Sequence, residues 1–413
     1  MLDVLGQLGA ILIISFFLKE LGDRINFPFI VLLIFGGTLL ATYNIVDIKS
    51  LAPFPELIRT LALVLVVYSS AFHLNIDDVK KHSKSIVMLA TLGVFLTALL
   101  TSATMFYLLP IPLLAALFLG ALLSGTDPAA ISSAIPKKSN ELASVLRAES
   151  LFNSPFTVIL PLLLLDFVKI PETAILNVPK IFLLIIIGIL VGVAIGLAGK
   201  WLLERIKSEH TETLGLAIAI ATYIIAEPLL GSGILAVAIC SIILNSGNYE
   251  SKNFMGAFNS ELAFISTLFV FVLLGSQFKV DELIFSRAEI FAVIIALIVA
   301  RLLTSAIVLF HSEFNIIEKI KIGMVGPKGV GPAALAPLVL GFSDKIIGAD
   351  LIVKITYIAI VVSTLVSLLA VKISLKPEET DEEKMQNELE KKKKIRELKK
   401  IIPAKKQSQP FLK

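Results

Sequence analysis

Two stretches decide the fold of this chain: Gly120-Ala-Leu-Leu-Ser-Gly-Thr-Asp-Pro-Ala-Ala130 and Gly326-Pro-Lys-Gly-Val-Gly-Pro332. Each lies inside a long apolar segment and combines glycine with proline, which removes a backbone donor and opposes a continuous helix. Each also carries one charged side chain, Asp127 or Lys328. Unwound backbone at membrane depth is tolerated only where protein or a water-filled cavity satisfies its polar groups. The two stretches therefore predict a pair of broken helices that meet inside the protein.

The composition places these segments in a membrane. Of 413 residues, 56% are hydrophobic and only 17% are charged, and the mean hydropathy is +0.89. A soluble chain of this length has about a quarter of its residues charged, so an ordinary soluble enzyme is excluded. The stretch from Ile181 to Leu190 is apolar all round, which excludes the alternating strands of a membrane barrel.

Apolar runs divide nearly the whole chain as far as Ser374, and each is long enough to cross a bilayer, which takes roughly 17 to 25 residues. We predict an all-α polytopic membrane protein with about thirteen transmembrane helices. The predicted spans lie near 4–20, 28–43, 56–73, 85–109, 112–135, 141–168, 178–205, 212–229, 231–246, 258–278, 288–311, 317–341 and 351–374.

Broken spans at corresponding positions in two halves are typical of an inverted-repeat transporter with its site at the crossing. Here spans one to six and eight to thirteen would form the halves, with span seven between them. We predict a transmembrane domain over 1–374 and a charged cytoplasmic tail over 375–413. The tail would be a solvated helix or disordered, or its basic part would attach to anionic lipid.

The topology follows from the number of spans and from the lysines and arginines of the short loops. An odd number of spans puts the termini on opposite sides, and the side with more basic residues is cytoplasmic. That side would include Lys80, Lys81, Lys84 and the basic tail. We therefore predict a multi-pass protein of the cell (inner) membrane, with the N-terminus outside and the C-terminus in the cytoplasm.

Ionisable residues inside spans each cost at least about 2.5 to 3.5 kcal/mol, so each is a functional candidate. Opposite charges at the two breaks, Asp127 and Lys328, can compensate half-helix ends that face each other. Glu149 in span six needs a partner, and Arg301 is the natural candidate because unpaired burial of either charge is costly. We predict that this ion pair is structural.

Span six carries a polar stripe on an otherwise apolar helix. Glu149 and Asn153 are one turn apart, as are Ser150 and Ser154, so all four share one flank. The stripe points to the protein interior. It would serve either as part of a site or as a helix-packing face, because small polar residues commonly join membrane helices.

These motifs, taken in order, resemble the NhaP-type sodium/proton antiporters of the monovalent cation/proton antiporter family, from the first span to the last. The residues that carry the resemblance are Thr126-Asp127-Pro128, Glu149-Ser150-x-x-Asn153, Ala226-Glu227-x-x-x-x-Ser232-Gly233-x-Leu235-Ala236-Val237, Arg301 and Gly326-Pro-Lys-Gly-Val-Gly-Pro-Ala333.

The resemblance implies a thirteen-helix antiporter fold that works as a homodimer by elevator-like alternating access. It implies a core near 56–168 and 258–374, with dimerisation helices elsewhere. It also implies that Thr126 and Ser150 are ligands, that Asn153 braces the broken helix, and that Glu149 and Arg301 form the stabilising pair.

The chain departs from the family pattern at the residue that exchanges the proton. The family has Asn-Asp in span six, whereas this chain has Asn153-Ser154, and a serine hydroxyl does not ionise near neutral pH. A second carboxylate of some relatives is replaced in the stretch Tyr68-Ser69-Ser70-Ala71. We predict an ion-binding set of Thr126, Asp127, Ser150, Asn153, Ser154 and Ser70, which would hold Na⁺ through oxygen atoms.

Three functions stay open at this stage. The leading one is a secondary transporter that exchanges a monovalent cation for H⁺, with Na⁺ as the expected cation. The second is an antiporter-like protein without proton coupling, acting as a uniporter or on another solute, because of Ser154. The third is a membrane sensor that does not transport. Without a nucleotide-binding loop, a metal cluster or a nucleophile with its base, we expect no enzyme, no cofactor and no nucleic-acid partner.

Overall fold

The computed structural model describes residues 2–25, 27–45, 54–74, 76–127, 130, 141–169, 178–206, 210–280 and 285–374. Over these residues all regular structure is helical. The predicted tail over 375–413 and the second half of the first broken span, beyond Ala130, lie outside the described residues.

Fifteen helices are numbered here in chain order. They are α1 (Leu2–Ile25), α2 (Phe29–Thr42), α3 (Phe54–Phe72), α4 (Ile76–Lys81), α5 (Ser83–Leu108, π-helical over Leu89–Gly93), α6 (Leu113–Leu122), α7 (Glu141–Lys169), α8 (Val178–Arg205), α9 (Thr211–Ala226), α10 (Gly233–Asn245), α11 (Lys252–Gly275), α12 (Arg287–Val308), α13 (Ile316–Met324), α14 (Val330–Phe342, of which Ala336–Phe342 is a 3₁₀-helix) and α15 (Ala349–Ser374).

The prediction of a polytopic helical membrane protein is confirmed. Seven helices are long and apolar enough to cross a membrane, and six shorter apolar helices accompany them. They correspond one to one with the thirteen predicted spans. Two details differ: α11 begins at Lys252, several residues before the predicted span, and the short helix α4 was not predicted.

The outer surface of the bundle is apolar, as expected for contact with lipid. Large hydrophobic side chains on α1 and α8 are well exposed, among them Phe17 at 65% and Phe182 at 67%. Exposed apolar faces of this extent would drive a soluble protein to associate, whereas acyl chains accommodate them.

Several helices begin where the sequence supplies a start signal. α2 and α6 follow Pro28 and Pro112, whose ring fixes φ near its helical value. Ser286 before α12 forms a capping box, because its side chain accepts from the amide of Glu289 while Glu289 accepts from the amide of Ser286. Asn315 does the same before α13. The half-helix before the second break is thus fixed at its start.

Three groups of buried apolar residues hold the bundle together. One joins α5, α6, α12, α14 and α15. Another joins α1, α2, α3 and α11 and includes Tyr357 of α15. The largest surrounds α3, α7, α9 and α10. Helices α6 and α14 share one group, α7 approaches them from another, and α3 packs on both α7 and α14.

Two glycines permit a close crossing of α2 and α11. A Cβ atom on Gly37 of α2 would collide with the backbone carbonyl of Val272 on α11, and one on Gly275 of α11 would collide with that of Ile34 on α2. Only glycine permits this approach. The α2–α11 pair is therefore packed backbone to backbone beside the space where the broken spans meet.

Candidate ion-binding site

The two broken spans cross and bond to each other through their backbones. Span five leaves its helix after Leu122, and span twelve is extended from Val325 until α14 begins at Val330. The amide of Asp127 donates to the carbonyl of Pro327 at 3.0 Å. The unwound segments thus satisfy part of each other's hydrogen bonding inside the protein.

Asp127 accepts hydrogen bonds from backbone amides of both broken spans. Its Oδ1 accepts from the amide of Ala130 at 2.8 Å, and its Oδ2 accepts from the amide of Val330, the first residue of α14, at 2.7 Å. A carboxylate at a helix N-terminus satisfies amides that have no partner inside the helix and offsets the positive end of the dipole. The side chain is 5% exposed, so these bonds are shielded from water.

Lys328 lies at the C-terminal end of a helix, whereas Asp127 lies at an N-terminal end. Its Nζ donates to the carbonyl of Gly125, just beyond the C-terminus of α6, at 2.7 Å, and its side chain is 3% exposed. Its own amide donates to the hydroxyl of Ser363 at 2.9 Å, and the amide of Gly326 donates to Ser367 at 3.1 Å. The extended segment of span twelve is therefore held by α15 on one side and by span five on the other.

The polar stripe of α7 faces the crossing. Nδ2 of Asn153 donates to Oγ1 of Thr126 at 2.9 Å, which joins the helix to the broken segment of span five. The hydroxyl of Ser154 donates to the carbonyl of Ser150 at 2.8 Å, and the hydroxyl of Ser150 donates to the carbonyl of Arg147 at 2.9 Å. Both serines donate within their own helix, so their oxygen lone pairs are available to other groups.

Behind the stripe, Nη2 of Arg301 on α12 donates to Oε2 of Glu149 on α7 at 2.6 Å. The carboxylate is fully buried and the guanidinium is 3% exposed. The contact joins two helices of different spans in the buried interior, where a charge-assisted bond is strong.

A cavity of about 20 Å³ lies at the crossing, where roughly 10–15 Å³ is enough for one water molecule. Its polar wall contains Thr126 and Asp127 from span five and Ser154 and Thr157 from α7, and its remaining lining comes from Gly125, Leu122, Val158, Ile234, Leu63, Val66, Val67 and 329–332. A partly dehydrated small cation fits a space of this size.

The six predicted ion-binding residues take different positions relative to this cavity. Thr126, Asp127 and Ser154 line it. Ser150 and Asn153 are fully buried on the same flank of α7 and do not line it. Ser70 is half-buried on α3, one turn beyond the lining residue Val66, and is not part of the wall.

Three residues with hydroxyl groups in this region were not predicted as site residues from the sequence. Thr157 lines the cavity and donates to the carbonyl of Ser154 at 2.9 Å. Ser363 and Ser367 accept from the amides of the second broken segment. A signal exists for Thr157, which is three residues after Ser154 and so extends the stripe on the same helix face.

The chain matches the family described as "Sodium/hydrogen exchanger, transmembrane" over residues 10–376, which is nearly its whole length. It belongs to this family. The resemblance to NhaP-type antiporters that the sequence motifs indicated is confirmed.

Relatives support this assignment. The chain is 26% identical over 363 residues to the "Probable Na(+)/H(+) antiporter 2" of Methanocaldococcus jannaschii, covering 81% of this chain and 84% of the relative. It is 26% identical over 367 residues to the "K(+)/H(+) antiporter NhaP" of Alkalimonas amylolytica, covering 86% and 63%. The named cation thus differs among relatives.

The fold matches a solved antiporter. The structure of the sodium proton antiporter MjNhaP1 from M. jannaschii at pH 8 superposes with a TM-score of 0.79 at 23% identity, covering 89% of this chain and 98% of that one. The exchanger-family chain described here therefore has the NhaP fold, with inverted repeats and two broken crossing helices. It is a multi-pass membrane protein of a transporter family and not of an enzyme family.

Proposed function

We propose that this chain is a secondary transporter that exchanges a monovalent cation, first of all Na⁺, for H⁺ by alternating access at the cavity between its broken helices. The observation that carries the proposal is the cavity itself, which lies at the crossing and is lined by the oxygen-bearing side chains of Thr126, Asp127 and Ser154. The printed names of the relatives agree in the type of exchange, and one of them names K⁺ instead of Na⁺.

The oxygen atoms around the cavity suit a hard cation. Oγ1 of Thr126 accepts one hydrogen bond from Asn153, and Oγ of Ser154 directs its hydrogen to the carbonyl of Ser150. Each hydroxyl oxygen therefore keeps a lone pair for a cation. Asp127 adds the negative charge that the hydroxyls lack. Ser150 and Asn153 would position these groups from the next turn of α7.

Several contacts at the site would also have a structural role. We assign the Glu149–Arg301 pair to holding α7 against α12, and Asp127 and Lys328 to compensating the ends of the broken helices. These assignments rest on the buried 2.6 Å contact and on the bonds of Asp127 and Lys328 to backbone groups. The place of Ser70 among the ligands stays a prediction.

The larger arrangement is also a proposal. We place the N-terminus outside and the C-terminus in the cytoplasm of the cell membrane, and we propose a homodimer. The core would comprise the helices near 56–168 and 258–374, moving against the remaining helices as an elevator. Helices α8, α9 and α10, which all lie outside that core, pack extensively on one another, as a fixed domain requires.

A second candidate is transport without proton coupling, and one observation favours it. Among the described residues the only carboxylate on the cavity wall is Asp127, and both its oxygens accept backbone amides. Protonation of the carboxylate would remove the negative charge that strengthens both of these hydrogen bonds. With Ser154 in the family's proton-accepting position, the usual exchange group is replaced by one that does not titrate.

Flux in proteoliposomes distinguishes the two candidates. The purified full chain would be reconstituted with a pH-sensitive dye inside, and ²²Na⁺ uptake and lumenal pH would be followed together, with Asp127→Asn as the impaired variant. Uptake accompanied by lumenal alkalinisation when an acidic lumen drives it supports exchange. Uptake without any pH change supports the second candidate. If neither Na⁺ nor K⁺ is taken up, both candidates are wrong.

A further inference from the structure

Lys328 differs from the other charged residues of the crossing because it has no carboxylate partner. Arg301 is paired with Glu149, and Asp127 bonds two backbone amides. Within the described part of the chain, no carboxylate oxygen lies within 4.0 Å of Nζ of Lys328. Burial of an ammonium group without a counter-charge costs free energy, so this lysine calls for a functional explanation.

The amine lies directly behind the cavity wall. Its acceptor is the carbonyl of Gly125, and Gly125 and Thr126 both line the cavity. A Cβ atom on Gly125 would collide with Thr157 and approach Oδ1 of Asn153 at 3.2 Å, so nothing separates this carbonyl segment from α7. A cation in the cavity and a positive charge on Lys328 would therefore repel each other across one peptide unit, in surroundings of low dielectric constant.

We propose that Lys328 carries the proton that is exchanged for the cation. This inference rests on the proposed function and names the group responsible for coupling. With the cavity empty the amine is protonated; when a cation enters, the amine is neutral. A lysine amine can lose its proton inside a protein, whereas an arginine guanidinium cannot.

The charges balance in this exchange. One N–H bond of the ammonium breaks, the electron pair stays on Nζ, and the proton passes to water on the side to which the cavity is open. One positive charge leaves as one enters, so the net charge of the site is constant. The neutral amine keeps two hydrogens, so it continues to donate to Gly125 and the crossing stays braced.

The charged groups around Lys328 leave it as the group that can change state. Glu149 on α7 and Arg301 on α12 act on it electrostatically with opposite signs, and α15 presents the neutral hydroxyl of Ser363. Protonation of Glu149 would leave the Arg301 charge unpaired, and Asp127 on span five is committed to two amides. Each of these alternatives weakens charge-assisted hydrogen bonds that the release of a proton from Lys328 leaves intact.

Two substitutions test the proposal through Na⁺ binding to the purified full chain at a series of pH values. In the wild type, competition with one proton lowers the apparent Na⁺ affinity by about tenfold per pH unit on the acidic side. Lys328→Arg, with its permanent charge, is expected to bind Na⁺ weakly at every pH. Lys328→Gln, with no charge, is expected to bind it without pH dependence. If the Na⁺ affinity of both variants depends on pH as steeply as that of the wild type, the proposal is overturned.

The controls separate this inference from the proposed function. Lys321→Gln, a partly buried lysine on α13 away from the cavity wall, is expected to keep the wild-type slope. If the wild type fails to transport but its Na⁺ binding depends on pH through Lys328, the proposed function is wrong and the inference stands. If Lys328→Arg keeps full proton-coupled flux, the inference alone is wrong.

A measurement on the wild type remains decisive if both variants fail to fold. Calorimetric titration with Na⁺ in buffers of different ionisation enthalpy counts the protons released on binding. The proposal requires about one proton per bound Na⁺ in the acidic range, where affinity changes about tenfold per pH unit, and about half a proton at the pH where affinity is half-maximal. Binding without proton release would overturn it.

Discussion

Nη2 of Arg301 lies 2.6 Å from Oε2 of Glu149, and this contact joins α12 to α7 beside the crossing of the broken spans. Oε1 of Glu149 and Nε of Arg301 have no hydrogen-bond partner among the described residues. A buried pair with such unsatisfied atoms adds little net stability, because its desolvation cost offsets the attraction. Removal of one member, however, leaves the other charge buried alone.

Glu149→Gln is therefore expected to lower the free energy of unfolding by about 3–5 kcal/mol. The double variant Glu149→Gln with Arg301→Met removes both charges and is expected to recover most of this loss. Thermal unfolding of the detergent-solubilised protein, followed by intrinsic fluorescence, compares the three proteins. Equal melting temperatures for the single variant and the wild type would contradict the structural assignment of the pair.

Gly329 permits the close approach of the second broken segment to Asp127. A Cβ atom at this position would overlap the Asp127 carboxyl group, and the segment cannot easily withdraw because Ser363 and Ser367 hold the amides of Lys328 and Gly326. Gly329→Ala is expected to cost about 1–3 kcal/mol, as overpacking does, and to weaken Na⁺ binding.

The matched control for this substitution lies on α14. A Cβ atom on Gly341 would meet nothing within 4 Å, so Gly341→Ala is expected to melt close to the wild type. Melting curves and Na⁺ titrations on the two alanine variants make the comparison. If Gly329→Ala binds Na⁺ as tightly as the wild type, the Asp127 carboxylate is not a determinant of the cavity.

The sequence alone predicted the parts of this structure that involve a large energetic cost. Charges and prolines within apolar spans are expensive, so few occur, and each demands a compensating partner. That scarcity is why Arg301 could be named as the partner of Glu149, and why both breaks were visible at Pro128 and in 326–332.

Uncharged hydroxyl groups carry no such signal. Ser363 and Ser367 are inexpensive in a membrane helix because a hydroxyl can bond a carbonyl of its own helix, as Ser363 does with Ile360. Their role toward the second break depends on how α15 is rotated, which composition does not specify. The same applies to α3, whose cavity face is formed by Leu63, Val66 and Val67 while Ser70 lies one turn away.

Glu313, between α12 and α13, is expected to make stability depend on pH. Burial alone would raise its pKa, but hydrogen bonds from His82 at 2.7 Å and from Ser85 at 3.2 Å outweigh this and lower the pKa below its usual value. A carboxyl group with a lowered pKa stabilises the folded state above its unfolded pKa of about 4.3, and this contribution is lost as the pH falls through the folded pKa.

Melting temperatures of the wild type and Glu313→Gln between pH 7 and pH 3.5 test this expectation. The difference between the two proteins should be largest near neutral pH and become smaller as the pH falls below about 4.3. Glu250→Gln, an exposed glutamate in the α10–α11 loop, serves as the control and should track the wild type at every pH. A difference between wild type and Glu313→Gln that persists unchanged at pH 3.5 would contradict the assignment.

Ser154→Asp would supply the cavity with a titratable carboxyl group at the family's position, and its effect on pH dependence separates charge from geometry. Ser154 already lines the cavity, one turn from Ser150 and bonded to its carbonyl, so a carboxylate there would face the bound cation. We expect Na⁺ affinity above the pKa of the new group to rise by about tenfold or more, since 1.4 kcal/mol of added attraction suffices.

Because a carboxyl group is charged only above its pKa, the affinity should rise with pH through that value. Ser154→Asn has nearly the same shape without the charge and should keep the affinity and the pH dependence of the wild type. Na⁺ titrations of the three proteins from pH 5 to pH 9 make the comparison, and an equal gain in the asparagine variant would show that side-chain size, and not charge, limits the wild-type site.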